Sequence, residues 1–195
     1  MYELVELCAD LLNDTESSWN ESLSSDDIPF SRAGYDACIS YSQSILENPK
    51  KHQDTKLYAV RNCDDNFAAG IITLSIVHPR TSDAYIKILS TRTSPRLDSR
   101  WGKLGEIKEP ERLRKVSRIL VAGLVQIYQL SCTESSDLAC QKIKIFSNKQ
   151  VDKALFMNFM SELEHNSATS DESAKVQFEL ESYGAWLEII KKDLS

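Results

Sequence analysis

The chain has 195 residues, a net charge of -6 and a composition that is 42% hydrophobic and 27% charged, with only six Gly and five Pro. That length and apolar content suit one core, so two enzymes in one chain, collagen-like repeats and wholly disordered classes are excluded. The negative balance makes the molecule as a whole repel phosphate backbones and anionic membranes, so nucleic acid is not an expected partner.

The N-terminus reads Met1-Tyr2-Glu3 and lacks a basic segment followed by an apolar one, which leads us to expect a cytoplasmic protein. The longest nearly apolar run, Ile119 to Tyr128, is broken by Gln126 and is about half the ~20 residues a spanning helix needs, so an integral membrane protein is not expected. Five cysteines form no CxxC pair and read as reduced, mostly buried thiols. His52, His78 and His165 stand in separate segments without zinc-site spacing, so no metal is expected.

In chain order, Leu4, Val5, Cys8, Leu11 and Leu12 fall at helical spacing and predict a first helix over residues 2–13. The Ser- and acid-rich stretch 14–27 reads as a loop. Ser31 is an N-cap candidate for a second helix whose face carries Tyr35, Cys38, Ile39, Ser42, Ile45 and Leu46, ended by Asn48-Pro49.

The period then changes. Residues 56–62 and the β-branched run 67–77, joined through Cys63-Asp64-Asp65-Asn66, predict a hairpin closed by His78-Pro79. Residues 83–90 predict a third strand, 91–100 a connection containing Pro and Arg, and 101–108 a further strand with Gly102 and Gly105 as bulge candidates. Pro110 suits the first turn of a helix with the stripe Leu113, Val116, Leu120, Leu124 and Ile127. After a polar turn at 133–137 come a strand over 142–147, a helix from Asn148 carrying Val151, Leu155, Phe159 and Leu163, a polar loop at 164–175, and a hairpin over 176–190.

The expected fold is thus mixed α/β (α+β): one domain over 1–195, with N-terminal helices and an acidic loop in 1–55 and a strand-rich core in 56–195. Its sheet should be mostly antiparallel, of about six to seven strands, flanked by about four helices.

Charge concentrates where a strand is expected to pass through a basic turn into the central helix. Residues 80–118 hold eleven Lys or Arg against five acids, a local +6, which leaves -12 for the remainder. A helix N-terminus with free N–H groups and nearby Arg or Lys is a competent phosphate site, and such polarity suits an anionic ligand or an acidic partner. A charged helix face is, in the competing reading, simply a solvated one.

Here the sequence resembles the GNAT superfamily of N-acetyltransferases, whose motif runs through Pro-Glu and Arg-x-x-Gly-x-Gly/Ala into a helix with Leu three residues on. Pro110, Glu111, Arg112 and Leu120 match, while Lys115 and Ser117 stand at the glycine positions. The segment 142–147 with Asn148 looks like that family's fifth strand and next helix, and residues 176–189 look like its last two strands. The resemblance covers roughly residues 56–190 and implies a GNAT-like sheet with acetyl-CoA or another acyl-CoA as cofactor. It places Arg112, Arg114, Lys115, Val116, Ser117, Arg118 and Asn148 around the donor. Many members carry a tyrosine acid in the helix after that asparagine, where this chain has Ala154 to Phe159. The non-glycine loop, the basic approach and a Glu on the strand are also similar to acyl-homoserine-lactone synthases and N-acyl amino acid synthases, which admits an acidic acyl carrier protein as a donor partner.

The activity so implied is attack of an amine on a thioester, moving an acetyl or longer acyl group. It needs a base for the ammonium and donors for the oxyanion. Glu106 is the candidate base, directly or through water. The alternative is a catalytically degenerate protein of the same fold that binds or regulates another protein. No GxSxG, HExxH, Walker or GxGxxG pattern occurs. Cys132 and Cys140 read as inert thiols before nucleophiles, and Trp19, Trp101 and Trp186 as packing residues, with Trp101 beside Arg100 and Lys103 the one placed to meet a ligand.

Overall fold

A computed structural model describes residues 1–23, 29–79, 81–97, 109–133, 135–146, 161, 177–183 and 186–192. In chain order the elements are β1 (Tyr2–Glu6), α1 (Ala9–Ser22), α2 (Pro29–Glu47), β2 (Thr55–Asn62), β3 (Gly70–Val77), β4 (Tyr85–Thr93), a 3-10 turn (Pro95–Leu97), α3 (Glu109–Ser131), β5 (Lys142–Phe146), β6 (Gln177–Tyr183) and β7 (Trp186–Lys192). The strands form one sheet in the order β1-β2-β3-β4-β5-β7-β6. Every neighbouring pair is antiparallel except β4 and β5, which run parallel and are joined through α3. A parallel pair needs such a crossover, because a tight turn can only reverse the chain.

The N-terminus departs from expectation. Residues 2–6 are a strand, not the start of a helix: Tyr2 to Glu6 pair with Asn62 to Tyr58. Leu4 and Val5 suit either period, and pairing decides it, with Glu3 and Arg61 in contact at 2.6 Å and the Leu4 N–H donating to Gln126 Oε1 at 2.9 Å. The expected first loop is largely helix, since α1 runs on to Ser22. Its polar residues pack after all, because Leu12, Thr15 and Trp19 share a face at intervals of three and four and are all buried. Thr15 and Trp19 clasp the lead-in to β3: the Ala68 N–H donates to Thr15 Oγ1, and Trp19 Nε1 donates to the Ala68 carbonyl, both at 2.9 Å.

The expected hairpin is β2 with β3, although residues 67–69 lead into the strand without joining it. His78, at φ 52°, ends β3. The third strand extends to Thr93, α3 and the terminal hairpin stand where the periodicity puts them, and β5 ends at Phe146. The expected strand at 101–108 and the helix from Asn148 lie outside the described residues.

Alternation along the strands builds two cores, one on each face. Leu57, Ala59 and Ile71 pack with Leu12, Trp19, Tyr35, Ile39 and Ile45 of α1 and α2. Val60, Ile72, Leu74, Ile86 and Ile88 pack under Ile119, Val121, Leu124, Ile127 and Tyr128 of α3. Close approach of α3 depends on glycine: a Cβ on Gly123 would lie 2.6 Å from Val60 Cγ2, and one on Gly70 would lie 3.1 Å from Ile119 Cγ2. The cysteines are free, but Cys8, Cys63 and Cys132 are exposed, against the expectation of mostly buried thiols. They occupy a helix cap, a turn and a helix end, where the chain meets water. No helix among the described residues is long and apolar enough to cross a membrane.

Candidate functional site

Among the described residues, pairing between β4 and β5 stops short of the end of β4. β4 pairs with β5 only from Tyr85 with Lys142 to Ile88 with Ile145. On its other side, the register against β3 slips by one residue: Thr73 faces Ser90 but Leu74 faces Ile88. Leu89 is therefore the extra residue of a β-bulge, and a bulge bends its strand. Beyond it, among the described residues, β4 continues to Thr93 against β3 alone, while β5 continues at Phe146 against Trp186 of β7. The two parallel strands form a fork whose crotch lies just past Ile88 and Ile145.

Among the described residues no strand pairs with the second edge of β4 over residues 89–93, and an unpaired strand edge presents backbone N–H and C=O groups. Its carboxyl end is also the end from which the chain departs for α3, the position where open α/β sheets commonly bind ligands. Leu89 is an exposed apolar side chain at the crotch, 42% accessible. After the bulge, Thr91 and Thr93 take the α3 side, opposite Ile72 and Gly70, whereas Ser90 and Arg92 take the α2 side, opposite Thr73 and Ile71.

The residues proposed for the donor divide as follows. Arg112, Arg114, Lys115, Val116, Ser117 and Arg118 all lie in the first three turns of α3, which starts at Glu109. Helical bonding uses the N–H groups from the fourth residue onward, as the Leu12 N–H to Cys8 carbonyl bond does in α1, so the helix ladder of α3 leaves over the N–H groups of Glu109 and Glu111, Pro110 having none. Positions 114–118 thus have side chains to offer. Arg114, Lys115 and Arg118 are exposed, Val116 and Ser117 half-buried, and Ile119 begins the fully buried stripe. The structure brings these basic residues together on one helix end. Glu106 and Asn148 lie outside the described residues.

Below the crotch, on the face away from α3, a charge ladder crosses the strands. Lys87, Lys144 and Glu188 occupy successive register positions on β4, β5 and β7. Glu188 is 8% exposed and receives Lys144 Nζ at 2.7 Å and Lys142 Nζ at 3.0 Å, and Lys144 also sits 4.8 Å over the Tyr85 ring. The hydrogen bond from Lys144, and then that from Lys142, hold the Glu188 carboxyl below its ordinary range against the opposing effect of burial. A carboxylate so stabilised is a weak proton acceptor, and its work here is to tie β5 to β7.

Arg92 was not visible as a site residue in the sequence, where it fell in the connection after the third strand. Its guanidinium lies 5.3 Å over the Tyr35 ring, in cation–π range, and its terminal nitrogen is 3.8 Å from where a Cβ on Gly34 would stand. Tyr35 in turn meets Trp19 edge-on, ring centroids 5.5 Å apart. Among the described residues no carboxylate pairs with Arg92. The thiol of Cys38 is raised by burial and opposed chiefly by this same positive charge.

No family model matches the chain, and no curated protein sequence matches it. Solved structures of similar shape exist. The N-acetyltransferase PseH of Campylobacter jejuni, solved in complex with acetyl coenzyme A, is 13% identical over 99% of both chains, with a TM-score of 0.46. A putative GNAT-family acetyltransferase of Desulfovibrio desulfuricans is 10% identical over 98% of this chain and 97% of its own, TM-score 0.41. The PaiA N-acetyltransferase of Thermoplasma acidophilum, in complex with coenzyme A, is 12% identical over 98% and 99%, TM-score 0.39.

Proposed function

We propose that the chain is an acyl-CoA-dependent N-acyltransferase of GNAT type. The observation that carries this reading is the fork between β4 and β5, with a helix bearing Arg112, Arg114, Lys115 and Arg118 starting at the same end of the sheet. An extended donor arm rich in amides would lie along the free edge of β4 as an added strand does. Its pyrophosphate would meet the basic start of α3, through the N–H groups of Glu109 and Glu111 and the neighbouring cationic side chains. The acyl thioester would then sit at the crotch, beside Leu89. In the reaction the amine nitrogen forms a bond to the thioester carbonyl carbon and gives its proton to a base, the C–S bond breaks with its electron pair going to sulfur, and the thiolate of coenzyme A takes up that proton to leave as the thiol. Glu106 is our candidate for that base and Asn148 for a contact to the donor, both on the resemblance described above.

The test is calorimetric titration with coenzyme A, acetyl-CoA and one long-chain acyl-CoA. Saturable binding is expected, weakened at least tenfold by Arg114→Glu with Arg118→Glu. Both side chains are exposed, so the fold should hold, and melting temperature should rise with donor concentration in the parent protein. Absence of binding by every donor would remove the coenzyme A reading. A charged acyl carrier protein or a purely protein-binding role would then be the reading left to test.

A further inference from the structure

The fork has two mouths, and Arg92 stands at the one facing α2. It lies on the open half of β4, three residues past the bulge, opposite Ile71 and over Tyr35. A half-buried guanidinium would ordinarily find a carboxylate, because taking a charge from water without compensation is costly. The aromatic face of Tyr35 supplies part of that compensation and leaves the guanidinium's fork of N–H donors without an acid among the described residues. The surroundings make the charge conspicuous. The first 31 residues contain eight Asp or Glu and no Lys or Arg. Arg32, near the start of α2, is already engaged with Asp36 at 3.8 Å.

We propose that Arg92, on the α2 side of the open half of β4, is the counter-ion for a carboxylate of the acceptor, so that the acceptor is an amine of the amino-acid class. This rests on the acyltransferase reading and deepens it. One planar guanidinium matches one carboxylate in a bidentate pair, whereas a phosphate dianion would call for further positive groups. Tyr35 places its ring against the guanidinium and Gly34 leaves it room, so the pair would form with little rearrangement. The acid-rich N-terminal segment favours a cationic amine in general, and Arg92 then selects among amines those that carry a carboxylate.

The experiment uses the full chain and matched amines that differ only in that group: L-ornithine and putrescine, L-lysine and cadaverine, L-tyrosine and tyramine, L-histidine and histamine. Acetyl-CoA binding is measured first, and its absence counts against the donor reading and therefore against this one. With donor bound, thiol release is followed for each pair. At least one carboxylate-bearing member should exceed its decarboxylated partner tenfold or more in kcat/KM. Arg92→Gln should lower that value tenfold or more, mainly through KM, while leaving the decarboxylated partner and the acetyl-CoA dissociation constant within about threefold. Arg92→Lys, which keeps the charge and loses the planar fork, should fall between. A melting curve for each variant separates loss of fold from loss of selection. Donor binding without turnover of any carboxylated member, preference for the decarboxylated members, or equal loss on both in Arg92→Gln would each overturn the proposal.

Discussion

Gly123 sets how closely α3 lies on the sheet, and so where its basic first turns stand relative to the fork. Ordinary contact between carbon atoms is about 3.5–4.0 Å. In Gly123→Ala the new methyl would meet Val60 Cγ2 at 2.6 Å and Ile72 Cδ1 at 2.7 Å, so each contact is short by roughly 1 Å. Val60 and Ile72 are fully buried in adjacent strands, and the branched Val60 has little rotamer freedom with which to yield. Overpacking of this kind costs about 1–3 kcal/mol. The gain in helix propensity from Gly to Ala is about 1 kcal/mol. The clash should win by about 1 kcal/mol, lowering Tm by about 2–4 °C for a chain of this length. Gly123→Leu adds volume to the same contact and should lie at the upper end, about 3 kcal/mol. Urea unfolding and thermal melts measure both. If Gly123→Ala raised Tm, propensity alone would be acting, and the seating of α3 on β2 and β3 would be refuted.

Two further outcomes are expected. Thr15→Val keeps the side-chain shape but leaves the buried Ala68 N–H without its acceptor; it should cost about 1–3 kcal/mol in urea unfolding, with Thr15→Ser recovering most of it, and an unchanged midpoint would contradict the α1 clasp. Glu188 has its carboxyl pKa lowered on folding, so its contribution is present above the unfolded value near 4.3 and is lost as pH falls through the lower folded value. Glu188→Gln should therefore be the less stable protein at pH 7, with the gap to the parent closing as pH falls below the unfolded carboxyl value, and a gap constant with pH would rule out the Lys144–Glu188–Lys142 cluster as its source.

Much of the fold was legible because the residues that pack are also those that carry the local signal. The β2–β3 hairpin has a β-branched run beside a turn of polar residues, and the α3 stripe repeats every three to four positions. The N-terminus misled because its signal is divided. Leu4 serves one face of a strand and Val5 the other, which imitates one helical step, while α1 buries a threonine and a tryptophan among acids and serines. The Leu12, Thr15, Trp19 spacing was the available clue. At the site, the basic start of α3 is visible as local charge. The fork is not, because it arises from a one-residue slip between β3 and β4 that only the pairing register reveals. Arg92 was missed for the same reason, since its meaning comes from the far side of β4 and from Tyr35, 57 positions earlier in the chain.

The division of charge has its own consequence for the proposed chemistry. α1 and α2 cover one face of the sheet and α3 the other. The exposed Asp10, Asp14 and Glu21 therefore lie on the opposite side from Arg114, Lys115 and Arg118. A polyanionic donor is drawn to the α3 side and repelled from the other, while an ammonium is drawn the opposite way, so the two substrates are steered apart. Hydrogen-bonded strands separate the two faces elsewhere in the described sheet. Among the described residues β4 and β5 are unpaired past Ile88 and Ile145, so on the proposed reading a thioester held from one side and an amine held from the other would meet where β4 leaves β5. On that reading the bulge at Leu89 does more than bend an edge: it would turn a sheet that separates opposite charges into one that lets them meet.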